Sequence, residues 1–306
     1  MSTRNIWNES AYFLGPKSEN AAWFRAEFQS ILDQWFDWRR ALFGSDPSPI
    51  PPDMRLTAGF LAERELISQK VHELGVLMTG EVPKYTPRYI GHMVSELSIP
   101  ALLGHFATLL HNPNNTSRDV SRVSGVVEDE AIAMLASMVG YDPSQAQGHF
   151  TSGGTLANFE SVWRARYRMD HFLAMGLCVA ETTGQPLDPV GAAHMGWEAY
   201  AQLSAAHSIA ESDLRSASSV LGNPFEIAAR IGAAAGREWR GPVLLVPGNK
   251  HFSWLKAANV FGLGEEAFWP IALDAQGRLS IPALRAAIHR AHEAGRPVLA
   301  VVSVAG

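Results

Sequence analysis

One cysteine, Cys178, is all that 306 residues contain, so no intrachain disulfide can form and a cysteine-rich metal site is excluded. It falls in the apolar run Phe172–Val179, where a buried structural thiol is expected rather than a nucleophile. Basic clusters are lacking as well. The formal net charge of −5 and a pI near 6.1, with no polybasic run, argue against a surface that neutralises phosphates of a nucleic acid. No stretch approaches the ~18 uncharged apolar residues of a membrane span. The N-terminus, MSTRNIWNES, has no apolar signal-peptide core, so a cytoplasmic protein is expected. The histidines show no HExxH spacing, and His289 and His292 lie three apart on a polar stretch that reads as a solvated face, so no metal is expected.

What is present suits a soluble fold: 47% of residues are hydrophobic, and four of nine tryptophans (Trp7, Trp23, Trp35, Trp38) come early. Apolar residues at three- and four-residue spacings predict a helix over 19–43, then a Ser/Pro-rich linker over 45–52 and a second helix over 57–77. Residues 82–96, with Pro83, Pro87 and Gly91, read as an irregular loop, followed by helices over 97–110 and 123–139, the latter ending at Gly140. The character changes at residue 148. From there the pattern predicts a strand over 148–151, a helix over 155–169, a less regular alanine-rich region, and a buried strand over 242–247. A helix over 253–261, a strand over 267–273, a helix over 281–294 and a strand over 297–304 complete the series. Strands alternating with helices imply parallel pairing in an α/β layered fold. The last run, VLAVVSVAG, has the apolar character of a strand at the centre of such a sheet, where functional groups gather at carboxyl ends; a chain stopping at that edge is expected to be truncated.

Three constellations carry chemistry. In Thr151-Ser152-Gly153-Gly154-Thr155, between a strand and a helix, the glycines permit close backbone approach to an anion. The new helix adds unpaired N–H groups, and Ser152 and Thr155 add hydroxyls. The lack of a Walker lysine and of GxGxxG spacing points away from nucleoside triphosphates and dinucleotides. An ordinary glycine turn with Thr155 as helix N-cap is the plainer alternative. The second, Asn249-Lys250-His251-Phe252-Ser253, follows a buried strand and sets His251 at its carboxyl end, where an imidazole can stack on or polarise a ligand. A satisfied loop histidine is the alternative there. Lys250, whose neighbour faces the site, reads as a solvated lysine rather than a Schiff-base nucleophile. The third, Tyr85–Met93 with His111–Asn115, combines aromatic and hydrogen-bonding groups pinned by proline and glycine, as substrate-contacting loops are.

From about Pro83 to Gly306 the chain resembles the group II pyridoxal-phosphate-dependent amino-acid decarboxylases. The likeness is most specific in YTPRYIGHM with LLGHFATLLHNPNN, in GHFTSGGTLANFESVWRARY and in KHFSWLKAANVFGLG, and its look is nearest to bacterial tyrosine-decarboxylase-like enzymes. The resemblance implies a fold-type I transferase large domain, a mostly parallel α/β sheet flanked by helices, over 81–306 and incomplete at its C-terminus. A helical N-terminal segment, 1–80, would embrace a partner subunit in a homodimer whose active sites lie at the interface. It further implies pyridoxal 5'-phosphate as cofactor, held by Ser152, Gly153, Gly154 and Thr155. His251 would be the catalytic group stacked on the pyridine ring and helping to hold the substrate carboxylate, with Tyr89 and His92 in the substrate pocket.

The implied activity is decarboxylation of an L-amino acid, aromatic by subfamily look, to the amine and carbon dioxide. The family pattern also calls for an aspartate facing the pyridine nitrogen and a His-Lys pair whose lysine forms the Schiff base. Neither is found, Asp274 reading as a surface turn in DAQG, so the chain alone is expected to be inactive. Two alternatives stay open: another fold-type I lyase using the same cofactor, and a non-catalytic dimerisation subunit.

Overall fold

The computed structural model describes residues 8–91 and 94–304, which divide into two compact units, Met1–Gly148 and His149–Gly306. The division coincides with the change in sequence character at residue 148. In the first unit, α1 (Ala21–Leu42), α2 (Ala58–Met78), α3 (Ile99–His111) and α4 (Ser124–Met138) match the predicted helices to within two residues. Their ends follow local chemistry. Thr57 accepts the Phe60 N–H at the start of α2, and Ser98 accepts that of Ala101 at the start of α3, where Pro100 needs no partner. Left-handed Asn112 closes α3, and Gly140 follows α4 with φ of +84°. Helices α1 and α3 meet through Phe28 and Phe106, stacked at 3.7 Å, and Trp38 approaches His111 at 5.0 Å. The described residues of the loop before α3 are irregular, as its prolines dictate.

The second unit is built on α5 (Gly154–Thr183), which runs fourteen residues beyond the predicted end before Gly184 stops it in the left-handed region. Its apolar second half, buried on several sides, has no amphipathic stripe to announce a helix. The alanine-rich region resolves into four short helices, α6 (Pro189–Ala193), α7 (Gly196–His207), α8 (Glu211–Ser216) and α9 (Pro224–Ala235). Then come β1 (Val243–Pro247), α10 (Ser253–Val260), β2 (Phe268–Ile271), α11 (Ile281–Glu293) and β3 (Val298–Val301).

The strands form one parallel sheet in the order β2-β1-β3. Alternate residues of β1 divide the core. Leu244 and Val246 pack with Val162, Leu173 and Leu177 of α5, while Val243 and Leu245 pack with Ala287 and Ala291 of α11. Helices on both faces of a parallel sheet give the α/β architecture predicted. Two expectations fail. Residues 148–151 form no strand, because no neighbour pairs with them among the described residues. The apolar run ending the chain supplies β3 at an edge of this sheet instead of its centre, with Val301 half exposed. Among the described residues no helix is long and apolar enough to cross a membrane.

Candidate functional site

Helix α5 starts without a side-chain cap. Gly153 occupies the N-cap position and Gly154 opens the helix, which removes Thr155 from the capping role the plainer reading gave it. The Leu156 and Ala157 N–H groups both bond to the Gly153 carbonyl, at 3.0 and 3.1 Å. The preceding amides of this turn lie beyond the reach of any i−4 carbonyl in the helix. Ser152, Gly153, Gly154 and Thr155 are all exposed, and a Cβ built on either glycine would meet no heavy atom within 4 Å. An N–H-rich helix end bordered by two hydroxyl side chains and open space suits a small anion such as a phosphate monoester.

At the carboxyl end of β1 the chain turns through Gly248-Asn249, and His251 follows just before α10. One face of its exposed imidazole stacks on Phe252, with centroids 4.3 Å apart. Its Nδ1 lies 2.9 Å from Ser253 Oγ, and the Ser253 N–H donates to that same nitrogen at 3.2 Å. Ser253 is fully buried, and its Oγ accepts an N–H from Asn158 at 2.8 Å. Asn158 stands three residues after Thr155, so a single amide joins the helix that carries the glycine turn to the loop that carries the histidine. Farther along the same two elements, the Arg166 guanidinium donates to the Phe261 carbonyl and Phe159 meets the Phe261 ring edge-on.

Other sequence-selected residues fall differently. Tyr89 is partly buried, its N–H bonded to the Thr86 carbonyl, and its ring lies where a Cβ on Gly91 would sit, so a larger residue there would displace the ring. His92 lies outside the described residues. Lys250 is half-buried, not fully solvated as predicted: its ammonium sits 5.3 Å from the Phe268 ring centre. Asp274 does form a surface turn, accepting the Gln276 and Arg278 N–H groups. Those bonds, the one from Arg278 foremost, hold its carboxyl below the usual aspartate value. Cys178 is buried, as predicted.

The roles of Asn158 and Ser253 escaped the sequence reading, although both lie in stretches it singled out and the serine's place two residues after His251 was a usable local hint. So did Asp170, a buried carboxylate accepting from Ser218 Oγ at 2.5 Å and from the N–H and Oγ of Ser219 at 2.7 and 2.6 Å. An open cleft of about 1010 Å³ along α5 and α7, lined by Trp163, Arg164, Tyr167, Arg168, His171 and Trp197, contains none of the residues assigned a site role by sequence.

The chain has relatives among known proteins. No family model matches the chain. An L-tyrosine decarboxylase of Levilactobacillus brevis is 30% identical over 303 residues, covering 97% of this chain and 45% of that protein. The L-tyrosine decarboxylase of Enterococcus faecalis is 30% identical over 304 residues, 98% of this chain and 46% of its own length. An L-2,4-diaminobutyrate decarboxylase of Rhizobium meliloti is 26% identical over 220 residues, covering 72% and 31% respectively. The chain thus spans about half the length of the tyrosine decarboxylases it matches. With identity sustained along nearly its whole extent, the chain is similar to amino-acid decarboxylases, the L-tyrosine decarboxylases among them.

Proposed function

We propose that this chain supplies the cofactor-gripping part of a cytoplasmic decarboxylase that converts an aromatic L-amino acid such as tyrosine to its amine and carbon dioxide. One observation carries the reading: the uncapped Gly153–Gly154 helix start is tied through Asn158 and Ser253 to His251 at the carboxyl end of β1. Pyridoxal 5'-phosphate, when bound, supplies the electron sink for the pair left behind as carbon dioxide departs. The amides at Gly154 and Thr155, with the hydroxyls of Ser152 and Thr155, hold the phosphate. The His251 face not covered by Phe252 would be free to contact the cofactor, and the same imidazole would help to hold the substrate carboxylate. Fixing that carboxylate would be a matter of orientation, and orientation alone can supply several kcal/mol of rate acceleration. Tyr89 and His92 are assigned to the substrate pocket.

In the whole protein, residues 81–306 form the large domain and 1–80 embrace a second subunit. Support for that partner comes from α2, where Ile67, Val71, Leu74 and Met78 recur at helical spacing with more than half of each exposed. None of the five lysines follows a histidine, and the one beside His251 is occupied by the Phe268 ring. The 306-residue chain by itself is therefore inactive.

Titrating the chain with pyridoxal phosphate while following tryptophan emission tests the reading. Saturable quenching is expected, weakened about tenfold or more in Thr155→Ala and His251→Ala, since each loses contacts to a charged or aromatic ligand. Borohydride followed by mass spectrometry should leave no cofactor on any lysine. Unaltered affinity in both variants would remove the assigned site. Cofactor fixed to a lysine of this chain, or carbon dioxide released from tyrosine by it, would remove the claim of inactivity.

A further inference from the structure

We propose that Ser253 and Asn158 are positioning residues that hold the neutral His251 ring in the tautomer with its proton on Nε2. The inference deepens the function just proposed and relies on it for its purpose. Its starting point is a donor that cannot reverse: the Ser253 backbone N–H points at Nδ1 from 3.2 Å, which favours a lone pair on that nitrogen. The hydroxyl reinforces the same direction. Ser253 Oγ already accepts from the Asn158 amide at 2.8 Å, which directs its own hydrogen to Nδ1, 2.9 Å away. Full burial of Ser253 keeps water from substituting for either bond.

With Nδ1 engaged twice as an acceptor, the ring's single proton resides on Nε2, and His251 presents an N–H donor outward from the β1 edge. An ionised carboxylate is purely an acceptor, so that donor is the one a substrate's α-carboxylate requires; the other tautomer would oppose lone pair to lone pair. Asn158 brings a second consequence. It lies on the first turns of α5, so the element assigned to the phosphate also sets the imidazole's proton. His251 is thus oriented before any ligand arrives.

Nitrogen NMR on the chain with ¹⁵N-histidine tests this without any cofactor. Nδ1 of His251 is expected to show the shift of an unprotonated ring nitrogen and Nε2 that of a protonated one. In Asn158→Asp, a near-isosteric change, the new carboxylate should draw the Ser253 hydroxyl to itself and leave its oxygen free to accept from the ring. The ratio of the Nδ1–H to the Nε2–H form should then rise about fivefold or more, as one neutral hydrogen bond is lost and another gained. Ser253→Ala should move the ratio the same way, and Ser253→Thr, which keeps the hydroxyl, should restore it; far-ultraviolet circular dichroism establishes that each variant is folded. A wild-type ring protonated on Nδ1, or a ratio unmoved in folded Asn158→Asp, would overturn the proposal. A fixed Nε2–H tautomer in a chain that does not quench with pyridoxal phosphate would instead count against the proposed function and leave the tautomer assignment standing.

Discussion

Cys178 belongs to the cluster formed with Leu173, Leu177, Ala192 and Ile231, and burial there, with Glu181 adding to it, pushes the thiol up to about 11. The native state keeps the proton that an unfolded chain gives up near 9. The thiol's contribution to stability is therefore fully present below pH 9 and is lost as pH rises through about 11. Urea midpoints measured across that window should fall more steeply for the native sequence than for Cys178→Ala. A thiol reagent at neutral pH should label the protein only as fast as it opens. Asp170 gives a second residue-scale expectation. Its carboxylate is the acceptor for three donors of the Ser218-Ser219 turn, so Asp170→Ala should cost about 3 kcal/mol in urea unfolding by leaving buried donors unmet. Neither that cluster nor the Asn158–Ser253 bond was legible in the sequence. The partners stand 48 and 95 residues apart, and nothing local to an Asp or Asn in a helix says which distant serine it will meet. The position of His251, by contrast, was legible, because a histidine directly after a buried strand is placed by a local pattern.

Among the elements, those with both periodicity and punctuation were readable. Helices α1, α3 and α11 have apolar stripes, α2 is marked by its Thr57 cap and the prolines before it, and all four were located to within about two residues. Strand β1, five buried residues in a row, was equally plain. The second half of α5 was not, since a helix buried all round carries no stripe. The segment 148–151 was misread because alternation can suggest a strand, but only a neighbour makes one. Helix α5 also packs closely on α6. A Cβ on Gly176 would lie 2.6 Å from the Ala192 Cβ and 3.1 Å from Leu187 Cδ1. Gly176→Ala gains helix propensity yet forces the two helices apart, and the net effect expected by thermal melting is a loss of about 1–3 kcal/mol.

For the molecule as a whole, the two units differ in how much they bury. Helices α1 and α2 contain no buried residue, whereas α5 alone has ten. Large apolar side chains on α2 favour association over life as a lone helix in water, and a homodimer is the proposed outcome. Replacing Val71 and Leu74 together by glutamate should shift the chain to monomer in sedimentation velocity without reducing its helical circular dichroism. A native chain already monomeric at tens of micromolar would dispose of that arrangement. None of this was visible from hydropathy alone, because the α2 sequence reads the same whether its apolar side chains meet a core or another chain.

The thirty-residue span of α5 has a consequence for timing. Its uninterrupted ladder is clamped near the start by Asn158, midway by Asp170 and toward its end by Glu181, which receives two bonds from Arg230. In heavy water its central amides should be among the slowest in the chain to exchange, and the glycine turn rides on the end of that slow rod. A small anion arriving from solution would meet a helix end already standing.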